Sequence, residues 1–226
     1  MECIRFLTIP TNDTWTRDFG PITRLEDDQP VPVDFQFNAW GGKYSADQDN
    51  ALTRQLTKGG LFQRPPAATE LILEGGAIES DGAGTLLTTT SCLLTTTRNP
   101  EFTRDDYASH LQQLLGVERI IWLEHGGLEG DDTDGHIDTL ARFCSQNTIA
   151  HISCDDPADP HYHSISAMVE ELTKLETPAG KPYKLVPLPL PAPRYNKAGD
   201  RLPATHANFL IINGAVLVPV YDDPSD

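Results

Sequence analysis

Four β-hairpin signals recur along this chain, and between them the hydrophobic period changes from two to 3.6. The first joins residues 22–25 to 31–35 through the polar stretch Glu26-Asp27-Asp28-Gln29-Pro30. The second joins 77–79 to 85–90 through Ser80-Asp81-Gly82-Ala83-Gly84, and the third joins 139–143 to 148–152 through Ser145-Gln146-Asn147. The fourth is the clearest. Asn213-Gly214 stands between the β-branched runs 209–212 and 215–218, and that dipeptide favours a type I′ turn because both central residues need φ > 0. After each of the first three hairpins comes a helical segment: 47–58, ending at Gly59-Gly60; 103–115, with Thr103 as N-cap and Gly116 at C′; and 164–175, closed by Pro178. A single strand then follows, at 70–73, 119–123 and 184–190, the last made an edge by Pro187 and Pro189. The unit is hairpin, helix, strand, and fixed-period self-similarity implies a radial or solenoidal α/β array. A lone strand at 5–9 opens the chain and a hairpin closes it, so the array is expected to be incomplete at both ends, within one domain covering 1–226.

Composition narrows the chemistry. The formal charge is −16, which opposes nucleic acid or an anionic membrane as a partner, since phosphate binding needs a basic face. A small cation suits that field. No apolar run approaches the roughly 18 residues of a membrane span, and the first residues lack the layout of a secretion signal. Four cysteines stand at 3, 92, 144 and 154 without a C-x-x-C pair. They read as small buried hydrophobes in a reducing compartment, with the cytoplasm as default location.

One polar position recurs in phase with the units. Just before or at the start of each hairpin stands Asp18, Glu74, the pair His136 and Asp138, or Asn208. Equivalent positions of a radial array converge on its axis. Two ionised aspartates match the five N–H donors of a planar guanidinium. Trp15 could stack on such a cation, worth about 0.5–2 kcal/mol. His136 titrates nearest neutrality and is the natural proton carrier, and in an extended segment Asp138 points to the same side.

Plainer readings exist for each residue. Asp18 could be a turn former, Arg17 an ion-pair partner, and Trp40 and Trp122 core. Asp131, Asp132 and Asp134 fail an EF-hand register, because aligning Gly135 on its glycine puts Gly130 at the first ligand position and Ala141 at the twelfth. No second histidine at short spacing supports catalytic zinc. Nucleophile-elbow, phosphate-loop and dinucleotide-binding motifs are absent from the sequence.

Five strings in order resemble the agmatine deiminase and bacterial-type peptidylarginine deiminase family. They are Trp15-Thr16-Arg17-Asp18-Phe19-Gly20-Pro21, Phe37-Asn38-Ala39-Trp40-Gly41-Gly42-Lys43-Tyr44, Leu73-Glu74-Gly75-Gly76, Cys92-Leu93-Leu94 with Arg98-Asn99-Pro100, and 130–138, which ends Asp134-Gly135-His136-Ile137-Asp138. The resemblance implies a pseudo-fivefold α/β propeller of ββαβ units, of which 1–226 would hold three to four blades. It implies that Asp18 and Asp138 grip the guanidinium, Glu74 supports the site, Trp15, Trp40 and Asn208 line it, and His136 shuttles protons. The implied reaction is hydrolytic deimination through a covalent cysteine adduct, without metal or organic cofactor. None of Cys3, Cys92, Cys144 or Cys154 has the glycine-rich context of the family's nucleophile, which is therefore expected beyond residue 226. Agmatine is the expected substrate. Peptidyl or free arginine, an amidinotransferase or dihydrolase of the wider superfamily, a guanidinium-binding module without chemistry and a structural protein are the alternatives. Oligomeric state is left open.

Overall fold

The computed structural model describes residues 6–226. Cys3, and residue 5 of the strand expected at 5–9, lie outside them. Residues 6–9 form no strand and pair with no other described residue, and Phe6 and Leu7 are exposed.

Three consecutive units carry the fold. A one-turn helix α1 (Thr16–Phe19) leads into β1 (Ile22–Glu26) and β2 (Gln29–Gln36). A tight turn α2 (Ala39–Gly42) and helix α3 (Leu52–Lys58) then lead to β3 (Ala67–Ile72), which lies parallel to β2. The second unit is β4 (Ile78–Ser80), β5 (Thr85–Thr89), the one-turn α4 (Thr90–Leu93), α5 (Arg104–Leu115) and β6 (Arg119–Leu123). The third is β7 (Ala141–Ser145), β8 (Thr148–Ser153), α6 (Tyr162–Thr173) and β9 (Lys184–Pro189). Each makes its own three-stranded sheet, with an antiparallel hairpin and a parallel third strand. The chain is thus α/β with a repeated ββαβ unit. A fourth hairpin, β10 (Leu210–Ile212) with β11 (Ala215–Leu217), pairs only with itself, and all six residues are exposed.

Local chemistry explains the elements. In α5 the Thr103 side chain accepts from the Asp106 amide while the Asp106 carboxylate accepts from the Thr103 amide, a capping box, and Gly116 closes the helix at φ 72°. Tyr107 and Leu111, one turn apart, are fully buried against the β4–β5–β6 sheet. Ile165, Met168 and Leu172 do the same for α6. Leu111→Ala is expected to cost about 2–5 kcal/mol in a denaturant melt, because the site cannot collapse around the lost side chain.

Turn chemistry departs from expectation in two places. The first hairpin pairs Glu26 with Gln29 across two residues, and Asp27 and Asp28 have φ 51° and 59°. The type I′ geometry therefore belongs to this shorter turn, since aspartate tolerates the left-handed region. At Asn213-Gly214 only Gly214, φ 82°, is left-handed. Pro30 and Pro32 sit where β2 pairs with β1 alone, so their missing N–H groups cost no bond to β3. β9 is an edge, as its prolines require.

Candidate active site

The hairpin starts carry the polar residues. Asp18 lies in α1 and Glu74 caps the 3-10 turn Gly75–Ala77 before β4. His136 caps the 3-10 turn Ile137–Thr139 before β7, which contains Asp138. These three short turns meet at one place, and the measure of it is Gly76. A Cβ there would stand 2.4 Å from His136 Nδ1, 2.6 Å from Asp18 Oδ1 and 3.0 Å from Asp138 Oδ2. Only glycine leaves room for the three groups. Gly76→Ala is expected to abolish guanidinium binding in a calorimetric titration, and unchanged affinity would show that the three side chains do not act together.

Asp18 is fixed at both oxygens. Oδ1 accepts from the Gly76 amide at 2.9 Å and Oδ2 from Trp40 Nε1 at 3.0 Å. Trp40 reaches it from a left-handed turn in which Ala39, Trp40, Gly41 and Gly42 all have positive φ, between 54° and 93°. That costs roughly 1–2 kcal/mol for each of the two non-glycine residues. Asn38 offsets part of it, accepting from the Gly41 amide and donating to the Thr97 carbonyl, both at 2.9 Å. Trp40 is buried edge-on to Phe37, so it is both core and cavity wall.

His136 is buried, and its Nε2 has no hydrogen-bond partner among the described residues; Nδ1 is 3.6 Å from Asp18 and Nε2 4.0 Å from Glu74. Burial first, then the nearby Arg98 and Arg17 charges, pushes its pKa down to about 3, so the ring is neutral at pH 7. Burial first, then the Asp138 charge, pushes Asp18 up to about 7. Burial pushes Asp138 up to about 6, against the pull of Arg17 and Arg142.

A cavity of about 550 Å³ opens above these groups. Asp13, Asp18, Asp131, Asp132 and Asp138 all line it, and Arg17 is the one lysine or arginine among its described walls. Trp15 lines it and is half exposed, leaving its face free. Asn208 lines it too, with Nδ2 a long 3.5 Å from the Asp138 carbonyl. Glu74 does not: fully buried beneath the site, it receives Arg98 Nε at 2.9 Å on both oxygens.

Several parts of the site were not singled out from sequence. Glu79 takes Arg142 at 2.8 Å and Arg17 at 3.3 Å, and Arg17 Nε lies 3.5 Å from Asp138. Arg17 is thus the ion-pair partner its plain reading suggested. Asp131 caps its own loop through Thr133 and Gly135, while Asp134 pairs with Lys43 and Arg98. Glu74, Cys92 and His136 offer ligand atoms within 4.8 Å of one another. In that set Arg98 already holds both oxygens of the carboxylate, and burial pushes the Cys92 thiol up. Cys144 is exposed rather than buried, at the outer end of β7.

Among known proteins, a profile of the Porphyromonas-type peptidyl-arginine deiminase family matches residues 1–226. A Vibrio parahaemolyticus protein provisionally named an agmatine deiminase is 38% identical over 99% of this chain and 67% of its own length. A substrate-bound structure of a cysteine-to-serine variant of C. jejuni agmatine deiminase is 43% identical, with TM-score 0.92 over 99% of this chain and 65% of that one. A Porphyromonas gingivalis structure provisionally named an arginine deiminase is 52% identical, with TM-score 0.92 over 96% of this chain and 65% of that one. Fold and sequence together define an α/β protein of the deiminase type. The chain belongs to the Porphyromonas-type peptidyl-arginine deiminase family, and it spans about two thirds of the length of these relatives.

Proposed function

We propose that this protein contributes the guanidinium-binding and proton-transfer part of an agmatine deiminase, releasing ammonia and N-carbamoylputrescine. The observation that carries the reading is the convergence of Asp18, His136 and Asp138 on Gly76 at the floor of an acidic cavity. Asp18 and Asp138 accept the N–H groups of the cation, and Trp15 covers its face. The described units are blades of a fivefold propeller, with the site on its axis.

In this reading the nucleophile is a cysteine, and among the described residues Cys92, Cys144 and Cys154 do not line the cavity. Neutral His136 takes the thiol proton, and the thiolate adds to the guanidinium carbon. The imidazolium returns that proton to a departing amino group, which leaves as ammonia and gives a thiouronium. His136 then takes a proton from water and the hydroxide adds to the same carbon; the carbon–sulfur bond breaks, the sulfur leaves as thiol with the proton that His136 held, and the urea product gives its remaining proton to solvent.

The wall chemistry favours agmatine over free arginine. An α-carboxylate would meet the aspartates, while the one arginine among the described walls is engaged with Asp138 and Glu79. The test is ammonia release by the product of the complete coding sequence, comparing agmatine, free arginine and an arginine peptide. Agmatine is expected to have the highest kcat/KM. Preference for the peptide would move the substrate assignment, and no release from any of the three would leave only a binding role.

A further inference from the structure

Arg98 lies outside the cavity wall, yet its guanidinium joins most of what surrounds His136. It is buried, 2% exposed. Nε donates to both oxygens of Glu74 at 2.9 Å; Nη1 donates to Asp134 at 2.7 Å; Nη2 donates to the Thr133 carbonyl at 2.9 Å. Thr133 in turn accepts the His136 amide on its hydroxyl at 3.0 Å, so Arg98 grips the loop that presents the imidazole. Asp134 also takes Lys43 at 2.8 Å, which ties in the strand-to-helix loop that carries Trp40.

The charges around His136 make this arrangement matter. Asp18 and Arg17 face it from α1, Glu74 from the start of the second hairpin, Cys92 from α4, Asp134 and Asp138 from its own loop, and Lys43 from the loop after Trp40. Glu74 is the one carboxylate fully sealed from solvent, 4.0 Å from a ring nitrogen that has no hydrogen-bond partner. An unpaired carboxylate there would draw a proton onto the imidazole. Between buried groups such a field is screened far less than in water.

We infer that Arg98 is a positioning residue that cancels the charge of Glu74 and so keeps His136 a neutral base, ready to take the thiol proton. The inference rests on the reading of His136 as proton carrier. Its first readout does not depend on turnover. In the complete protein, the His136 ring is followed by NMR with ring-labelled histidine across pH 4–9. The native ring is expected to stay neutral throughout. Arg98→Gln is expected to bring its titration into that range, and Arg98→Lys, which keeps the charge, is expected to leave it neutral. The second readout is the rate. The kcat/KM deficit of Arg98→Gln is expected to exceed tenfold at pH 6 and to shrink as pH rises to 9. A ring that stays neutral in Arg98→Gln, or a deficit independent of pH, overturns the inference. Should Arg98→Gln fail to fold, Glu74→Gln with Arg98→Gln removes both charges; its deficit is expected to be independent of pH, and a pH-dependent one overturns the inference. Ammonia release by the native protein checks the underlying reading separately.

Discussion

Replacing His136 with alanine is expected to lower kcat by about 10²–10⁴, the usual worth of a positioned acid–base group, while the protein melts close to the native temperature. The two halves of that expectation have different causes. Turnover falls because no other neutral base reaches the point where His136 meets Asp18 and Asp138. Glu74 is committed to Arg98, and Asp18 already accepts from Gly76 and Trp40. The fold persists because the ring holds nothing together: its nearest charged partners are 3.6 and 4.0 Å away, and Nε2 is unbonded. The loop is held instead by backbone contacts such as the His136 amide to Thr133. Kinetics and a thermal melt on the same sample separate the effects. Retained turnover would remove His136 from the mechanism, whereas lost folding would make it a structural residue.

Much of this architecture could be read from one sequence because its signals are local. β6 runs over Arg119–Leu123 as expected, and α5 begins and ends where Thr103 and Gly116 say it should. The in-phase spacing of Asp18, Glu74 and Asp138 survives folding because each sits at a short turn before a hairpin. What escaped is what depends on distant partners. Arg142 and Glu79 are 63 residues apart, and Arg98 and Glu74 are 24 apart; no period links them. The left-handed turn through Trp40 escaped because two glycines after a tryptophan suit many loops, and only the finished fold supplies Asp18 as the reason for the strain. Cys144 was misplaced because cysteine alone does not say which face of β7 it occupies.

Guanidinium affinity is expected to fall roughly 10³-fold between pH 8 and pH 5. The physical cause is two carboxyls that must be ionised to hold the cation but are reluctant to be so in the empty site. Asp18 is pushed to about 7 and Asp138 to about 6, mainly by burial. Below pH 7 binding must expel one proton, and below pH 6 a second, so affinity drops about tenfold and then about hundredfold per unit. The sign of the stability effect follows from the same shifts. Both folded-state values lie above the unfolded one, so these groups favour folding most below pH 4, and that contribution is lost as pH rises through 6 to 7. A bound guanidinium compensates for the buried charge at high pH, and its thermal shift should therefore be larger at pH 8 than at pH 5. Asp18→Asn should flatten the dependence to that of Asp138 and weaken binding outright, because Gly76 and Trp40 donate to different oxygens and the amide turns one of those acceptors into an NH2 donor. Calorimetry in buffers of different ionisation enthalpy measures the protons directly. Release of one to two per ligand at pH 5–6 fits a site that stores its negative charge as protonated acid until the cation arrives, and an affinity flat across pH 5–8 would mean that these carboxylates are not its ligands.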